Sequence, residues 1–241
     1  MRCQDGVAKR QRGAALLLVL WIIALASLLL GNLAVSVQLQ QRQAAWQHRH
    51  TQASLAAEAG VNLAVASLWR DDGQAWRADG AIHRARVADS ELRIRIRSER
   101  GKLDLNAADE ADLRALLQAC GGPADRAASA LLARRDGLPL RMLDEVRALP
   151  GISEARYRCL LPDITVWSGY SRPDPAFASP RLARVLRLPR SDAALRDPGQ
   201  IVSVSVEATL SDGFHDRLDV TLVTQAGGAG QKPFRVLRWQ Q

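Results

Sequence analysis

Arg10-Gln11-Arg12-Gly13-Ala14-Ala15-Leu16-Leu17-Leu18-Val19-Leu20-Trp21-Ile22-Ile23 sets a basic leader against a run that holds no charge until Arg42. Arg2, Lys9, Arg10 and Arg12 stand before the junction, and the apolar core runs from Ala14 to Leu30. Extended by the uncharged residues through Val37, it is long enough to cross about 30 Å of hydrocarbon. Basic residues ahead of a span predict a cytoplasmic N-terminus and an exported body. The expectation is a single-pass membrane protein.

Three readings of this junction differ in where the chain is cut. A secretory signal would be removed near Ala24-Leu25-Ala26, and a plain anchor would stay whole. Cleavage between Gly13 and Ala14 would instead keep the apolar run as the mature N-terminus. Here the sequence resembles a type IV prepilin, with a short basic leader, a terminal glycine and a helix that both anchors and polymerises. The resemblance implies processing by a prepilin peptidase at Gly13 and Ala14.

The residues after the span continue the helix. From Leu39 to Trp69 there is no proline, and Leu55, Ala56, Ala59, Leu63, Ala66 and Leu68 recur at helical spacing, with Gly60 the one weak point. A helix from Ala14 to Trp69 would make a rod of about 85 Å, apolar all round at first and then burying one stripe on a globular domain.

Beyond the helix, Leu92, Ile94 and Ile96 alternate with Arg93, Arg95 and Arg97, the pattern of a half-buried strand with a cationic outer face. No aromatic interleaves to stack a base, so a solvated sheet face is expected. From Asp104 to Asp163 the pattern turns helical. After a Pro-rich link and a short helix near Ser179 to Leu188, three strands are expected, Ile201–Leu210, Arg217–Gln225 and Phe234–Trp239. Ser211-Asp212-Gly213 and Gly227-Gly228-Ala229-Gly230 mark the turns between them. The fold class expected is α+β: a pilin-like long N-terminal helix on an antiparallel sheet, with an inserted all-α domain of helix-hairpin-helix or SAM-like type. The expected boundaries are 1–13 leader, 14–37 membrane helix, 38–103 second half of the helix and first strands, 104–165 insertion, and 166–241 completion of the β domain.

Inside the insertion, Asn106-Ala107-Ala108-Asp109 and the run Leu149-Pro150-Gly151-Ile152-Ser153 resemble the helix-hairpin-helix, with Asn106 or Asp109 as N-cap. DNA-binding members of that class carry Gly-hydrophobic-Gly in the turn, which lets backbone amides approach a phosphate. The second glycine here is Ser153, and Asp125, Asp144 and Glu154 add negative charge nearby. A packing module is favoured over a DNA site.

The order of these parts resembles the type II secretion minor pseudopilin K (GspK) family. Leader, long helix, interrupted β domain, Pro173-Asp174-Pro175-Ala176-Phe177 re-entry and terminal Pro233-Phe234-Arg235-Val236-Leu237-Arg238-Trp239 all take part. The resemblance implies a non-enzymatic protein of the inner membrane with its body in the periplasm. It would sit at the pseudopilus tip with minor pseudopilins I and J, starting assembly and supporting export of folded proteins across the outer membrane. Major pilins place a glutamate fifth in the mature chain to neutralise a neighbour's amine. Leu18 occupies that place here, which fits a subunit with no neighbour above it, because an unpaired buried carboxylate is costly. The alternative carried from the insertion is a membrane-anchored DNA-binding protein of competence-receptor type. A minor pilin of a type IV pilus shares the leader but would not carry the insertion.

Composition agrees with a structural role. From the formal +8, removal of four basic and one acidic leader residues leaves +5, a modest excess read as solvated surface, and no nucleic-acid partner is expected. Cys120 and Cys159 either pair or remain two buried thiols. The four histidines are scattered, and no phosphate loop or nucleophile elbow appears. Family members can bind calcium, which makes Asp212, Asp216 and Asp219 candidate oxygen ligands. An acidic hairpin is more often just solvated, and no cofactor is expected.

Overall fold

The alternating pattern of the arginine-rich strand becomes one layer of a five-stranded antiparallel sheet. The computed structural model describes residues 8–70, 75–189, 197–224 and 234–241; the Gly227–Gly230 turn, Cys3 and the leader before Ala8 lie outside the described residues. Helix α1 runs Ala8–Leu68. Strands β1 (Asp79–Val87) and β2 (Ser90–Ser98) form a hairpin. The two-residue strand β3 (Leu103–Asp104), helices α2 (Glu110–Ala119), α3 (Ala124–Gly137) and α4 (Glu154–Leu160), strand β4 (Ile164–Thr165) and helix α5 (Pro180–Val185) follow. Strands β5 (Ile201–Thr209), β6 (His215–Thr224) and β7 (Phe234–Gln240) complete the sheet, whose order is β1-β2-β5-β6-β7. This is the mixed α+β arrangement expected of a pilin-like chain.

By contacts the chain divides into two units, Met1–Thr51 and Gln52–Gln241. In the first, the described residues are helical, and the leucines and isoleucines from Leu16 to Leu30 are exposed. By length and composition α1 can cross a membrane.

In the second unit, the inward residues of the strands are Leu92, Ile94 and Ile96 on β2, Val202, Val204 and Val206 on β5, and Leu218, Val220 and Leu222 on β6. Against them α1 lays Ala56, Ala57, Val61, Ala64 and Val65, and Ala53 on the same helix is also buried. Of the stripe expected from the sequence, Ala56 lies in this core and Leu68 packs partly against it, and the rest is corrected. Leu55 and Leu63, read as core, are 60% and 39% exposed. The helix lies too close to the sheet for large side chains: a Cβ at Gly60 would stand 2.7 Å from Val206 Cγ1. Small residues are selected on the contact face and the leucines turn outward.

The insertion leaves the sheet after Ser98 and returns before Val202, which pairs with Ser98. Its own core gathers Leu113, Leu116 and Leu117 from α2, Ala127, Ala128 and Leu131 from α3, and Tyr157 and Leu160 from α4. Leu182 and Leu186, in and just after α5, are buried in the same core, so the helical domain extends past the boundary expected at residue 165. The period-3.6 signal there is only a turn and a half long, too short to assign to one side. Parallel pairing of Leu103 with Ile164 and Asp104 with Thr165 closes the base. Asn106, one of the two residues expected as the N-cap, instead bridges segments: its amide nitrogen donates to the Leu140 carbonyl at 2.9 Å and its oxygen accepts from Leu140 N at 2.8 Å. The N-cap position of α2 is Asp109, whose side chain makes no capping bond.

Gly101 sits where the chain enters the insertion, and a Cβ there would lie 2.2 Å from the Phe177 carbonyl oxygen on the returning strand of chain. Backbone cannot yield as a side-chain tip can. Gly101→Ala is expected to lower the midpoint of thermal unfolding, at a cost of about 2–4 kcal/mol, whereas Gly213→Ala, with open space around its Cβ position, costs only the strain of its positive φ. Circular dichroism of both variants in detergent checks the difference.

Candidate functional site

In the turn that a DNA-binding hairpin would offer to a phosphate, two backbone amides are bonded within the chain. Ser153 N-caps α4, its hydroxyl accepting from Arg156 N at 3.2 Å, and Ile152 N donates to the Leu149 carbonyl at 3.2 Å. The departure from glycine at Ser153 is thus a helix cap. The surrounding carboxylates are engaged. Glu154 accepts from Arg147 at 2.7 Å and Arg158 at 3.0 Å, and these guanidiniums hold its carboxyl below the usual range. Asp125 pairs with Arg114 at 3.1 Å. Asp144 accepts from the Tyr157 hydroxyl at 3.0 Å and lies 3.6 Å from Arg238 of β7. Burial, before any charge effect, pushes the Tyr157 hydroxyl up to about 12.

Arg156 is buried beneath this turn, only 3% exposed, without a carboxylate. Its guanidinium donates to the carbonyls of Leu117 and Gly151 at 2.8 Å, of Pro123 at 3.1 Å and of Gly122 at 3.4 Å. Desolvation lowers its pKa. A planar fork can satisfy several carbonyls at once, including that of Leu117 at the negative end of α2. Arg156 therefore ties the two hairpin turns together from inside.

Cys120, just beyond α2, and Cys159 in α4 form a disulfide, which resolves the choice that the sequence left open. Arg181 of α5 reaches both sulfurs, at 2.9 and 2.8 Å, and pairs with Asp163 at 2.8 Å. These three arginines, Arg156, Arg181 and Arg238, are contacts that sequence reasoning missed, because nothing in local spacing marks an arginine for burial.

The remaining candidates do not converge. Asp219 pairs with Arg217 at 2.9 Å, the Asp216 carboxylate accepts from Arg217 N and that of Asp212 from Phe214 N. Among the described residues no three His, Cys, Asp or Glu side chains are grouped to hold a metal. His50 stacks on Trp46 and His83 on Trp76, with ring centroids 5.1 and 4.6 Å apart. Gly13 and Ala14 lie within α1, and Leu18 is exposed on it. The arginine face of β2 is not wholly solvated as expected. Arg93 is exposed and pairs with Glu207 at 3.5 Å, but Arg95 and Arg97 are half-buried, in a cleft that Leu143, Leu161 and Pro162 of the insertion also line.

Helix, antiparallel sheet and helical insertion between adjacent strands define a pilin-like fold with an inserted α-domain. A chain of the GspK–GspI–GspJ complex from the enterotoxigenic Escherichia coli type 2 secretion system shares it, with a TM-score of 0.57 and 14% identity over 82% of this chain and 98% of that one. At that identity the likeness is one of fold. No family model matches the chain, and no curated protein does.

Removing Arg156 is expected to orphan its carbonyls: Arg156→Ala should cost about 3 kcal/mol, and Arg156→Lys should recover little, since one ammonium cannot reach both turns. The Cys120→Ser, Cys159→Ser double variant should lose about 3–4 kcal/mol, the loop entropy of a 39-residue separation. Urea denaturation with and without reductant measures both, and reductant should leave the double variant unchanged.

Proposed function

We propose that this chain is a minor pseudopilin of a type II secretion system, acting without catalysis at the tip of the pseudopilus. The observation that carries the reading is a helical domain inserted between paired strands β2 and β5 of a pilin-like sheet, an arrangement it shares with a chain of the GspK–GspI–GspJ complex. The apolar first half of α1 supports anchoring in the inner membrane, with the body in the periplasm. Minor pseudopilins I and J are the partners, and a prepilin peptidase cuts between Gly13 and Ala14. Leu55 and Leu63, turned away from the sheet, give α1 an apolar face for neighbouring helices. The capped hairpin turn and the engaged carboxylates weigh against the DNA-receptor reading.

Mass spectrometry of the mature N-terminus, with and without an active prepilin peptidase, tests the assignment. A peptidase-dependent start at Ala14 is expected; a start near Ser27 or retained Met1 overturns it. A second test addresses the tip. Leu18→Glu should stay in the membrane fraction, since one carboxylate costs only about 3 kcal/mol against a long apolar span, and it should shift the chain from the tip toward the shaft. Unchanged secretion and unchanged tip composition sink that part.

A further inference from the structure

Between the outer face of the sheet and the insertion lies a cleft of about 400 Å³. Strand register sets its floor. Arg97 pairs across to Ser203, Thr221 and Arg238, Arg95 to Ser205, Asp219 and Gln240, and Arg93 to Glu207 and Arg217. Leu143, Leu161 and Pro162 of the insertion make an apolar wall.

Charge in this cleft does not balance. Arg93 has Glu207, Arg217 has Asp219, and Lys102 has the buried Glu99 at 2.5 Å. Arg238 has Asp144 and the Tyr157 hydroxyl. Among the described residues neither Arg95 nor Arg97 has a hydrogen-bond or ion-pair partner, although both are half-buried. Around Arg97, burial, Arg95 and Arg217 oppose the charge and only Asp163 favours it. Two like charges two residues apart on one strand face stand about 7 Å apart, and partial burial with no direct ion-pair partner among the described residues makes both costly. The Lys102 amine also donates to the Ser203 hydroxyl at 2.9 Å.

We propose that the cleft receives an acidic segment of a partner protein, an extended stretch with carboxylates at alternate positions and an apolar residue between them. In extended chain, residues i and i+2 point the same way at the spacing of Arg95 and Arg97, while residue i+1 points opposite, toward Leu143 and Leu161. The cleft has no aromatic lining on which a nucleobase could stack, and its volume excludes a duplex. The site stands on the charge pattern alone and does not depend on the pseudopilin reading.

The test is calorimetric titration of the full chain in a neutral detergent with acetyl-Gly-Glu-Leu-Glu-Gly-amide. Binding that weakens as salt rises is expected, with a loss of about tenfold or more for Arg95→Gln or Arg97→Gln. Arg86→Gln, whose guanidinium pairs with Glu91 outside the cleft, should bind as the parent does. The peptide with both Glu replaced by Gln should not bind, a readout that holds even if an arginine variant unfolds. Four results overturn the proposal: no binding, equal binding by the Arg95 and Arg97 variants, equal binding of the Gln peptide, or displacement by inorganic phosphate at the peptide's own affinity. Tighter binding of a single-stranded oligonucleotide to the same arginines overturns it too.

Discussion

The antiparallel pairing of β2 with β5 is the constraint on which the second unit rests. Those strands are neighbours from Glu91–Thr209 to Ser98–Val202, yet a whole helical domain lies between them in sequence. The chain must leave and re-enter the sheet at one point. Several short contacts hold that neck. The Ser98 hydroxyl donates to the Pro198 carbonyl at 2.5 Å, Arg100 pairs with Asp197 at 3.3 Å, and Asp174 N donates to the Arg100 carbonyl at 2.8 Å. Gly101 lets the incoming and returning backbones touch, and β3 with β4 adds a short parallel pair further into the insertion. The two cores, one under α1 and one within the helices, can therefore pack separately while sharing a single joint.

Arginine does much of the polar work inside this molecule. Arg156 satisfies backbone carbonyls at the turns, Arg181 spans a disulfide and a buried carboxylate, and Arg238 carries a contact from the last strand to the insertion. A guanidinium can do this because its donors are splayed in a plane and its charge survives desolvation. The positive excess of the chain is thus partly internal architecture, and among the described residues Arg95 and Arg97 face a cleft with no hydrogen-bonded or ion-paired partner of their own.

What the sequence made legible follows from how far each signal reaches. The β2 alternation, the three C-terminal strands and the apolar span are local periodicities, and they lie where expected. In the stripe on α1, Leu55 and Leu63 were misplaced while Ala56 packs as expected, because the sheet's close approach at Gly60 favours small residues and only the neighbouring strand reveals that. Of the two cap candidates, Asp109 takes the N-cap position, whereas Asn106 finds partners at Leu140 and Val166 that are distant in sequence. The pairing of Cys120 with Cys159 depends on how α2 meets α4, which spacing does not encode.

The neck also dictates an order of events. Joining β2 to β5 directly would require closing a loop of about 100 residues, an entropic cost that grows with the logarithm of its length. If the insertion, rich in short-range helical contacts, folds first, its core from Leu103 to Leu186 brings the two ends closer, and the loop left to close between Ser98 and Val202 is about 20 residues long. That saves about 1.5 kcal/mol at the moment of sheet formation. The inserted domain then acts as an intramolecular clamp: damage to it would appear first as a slower closure of the sheet, before any loss in the finished sheet's stability.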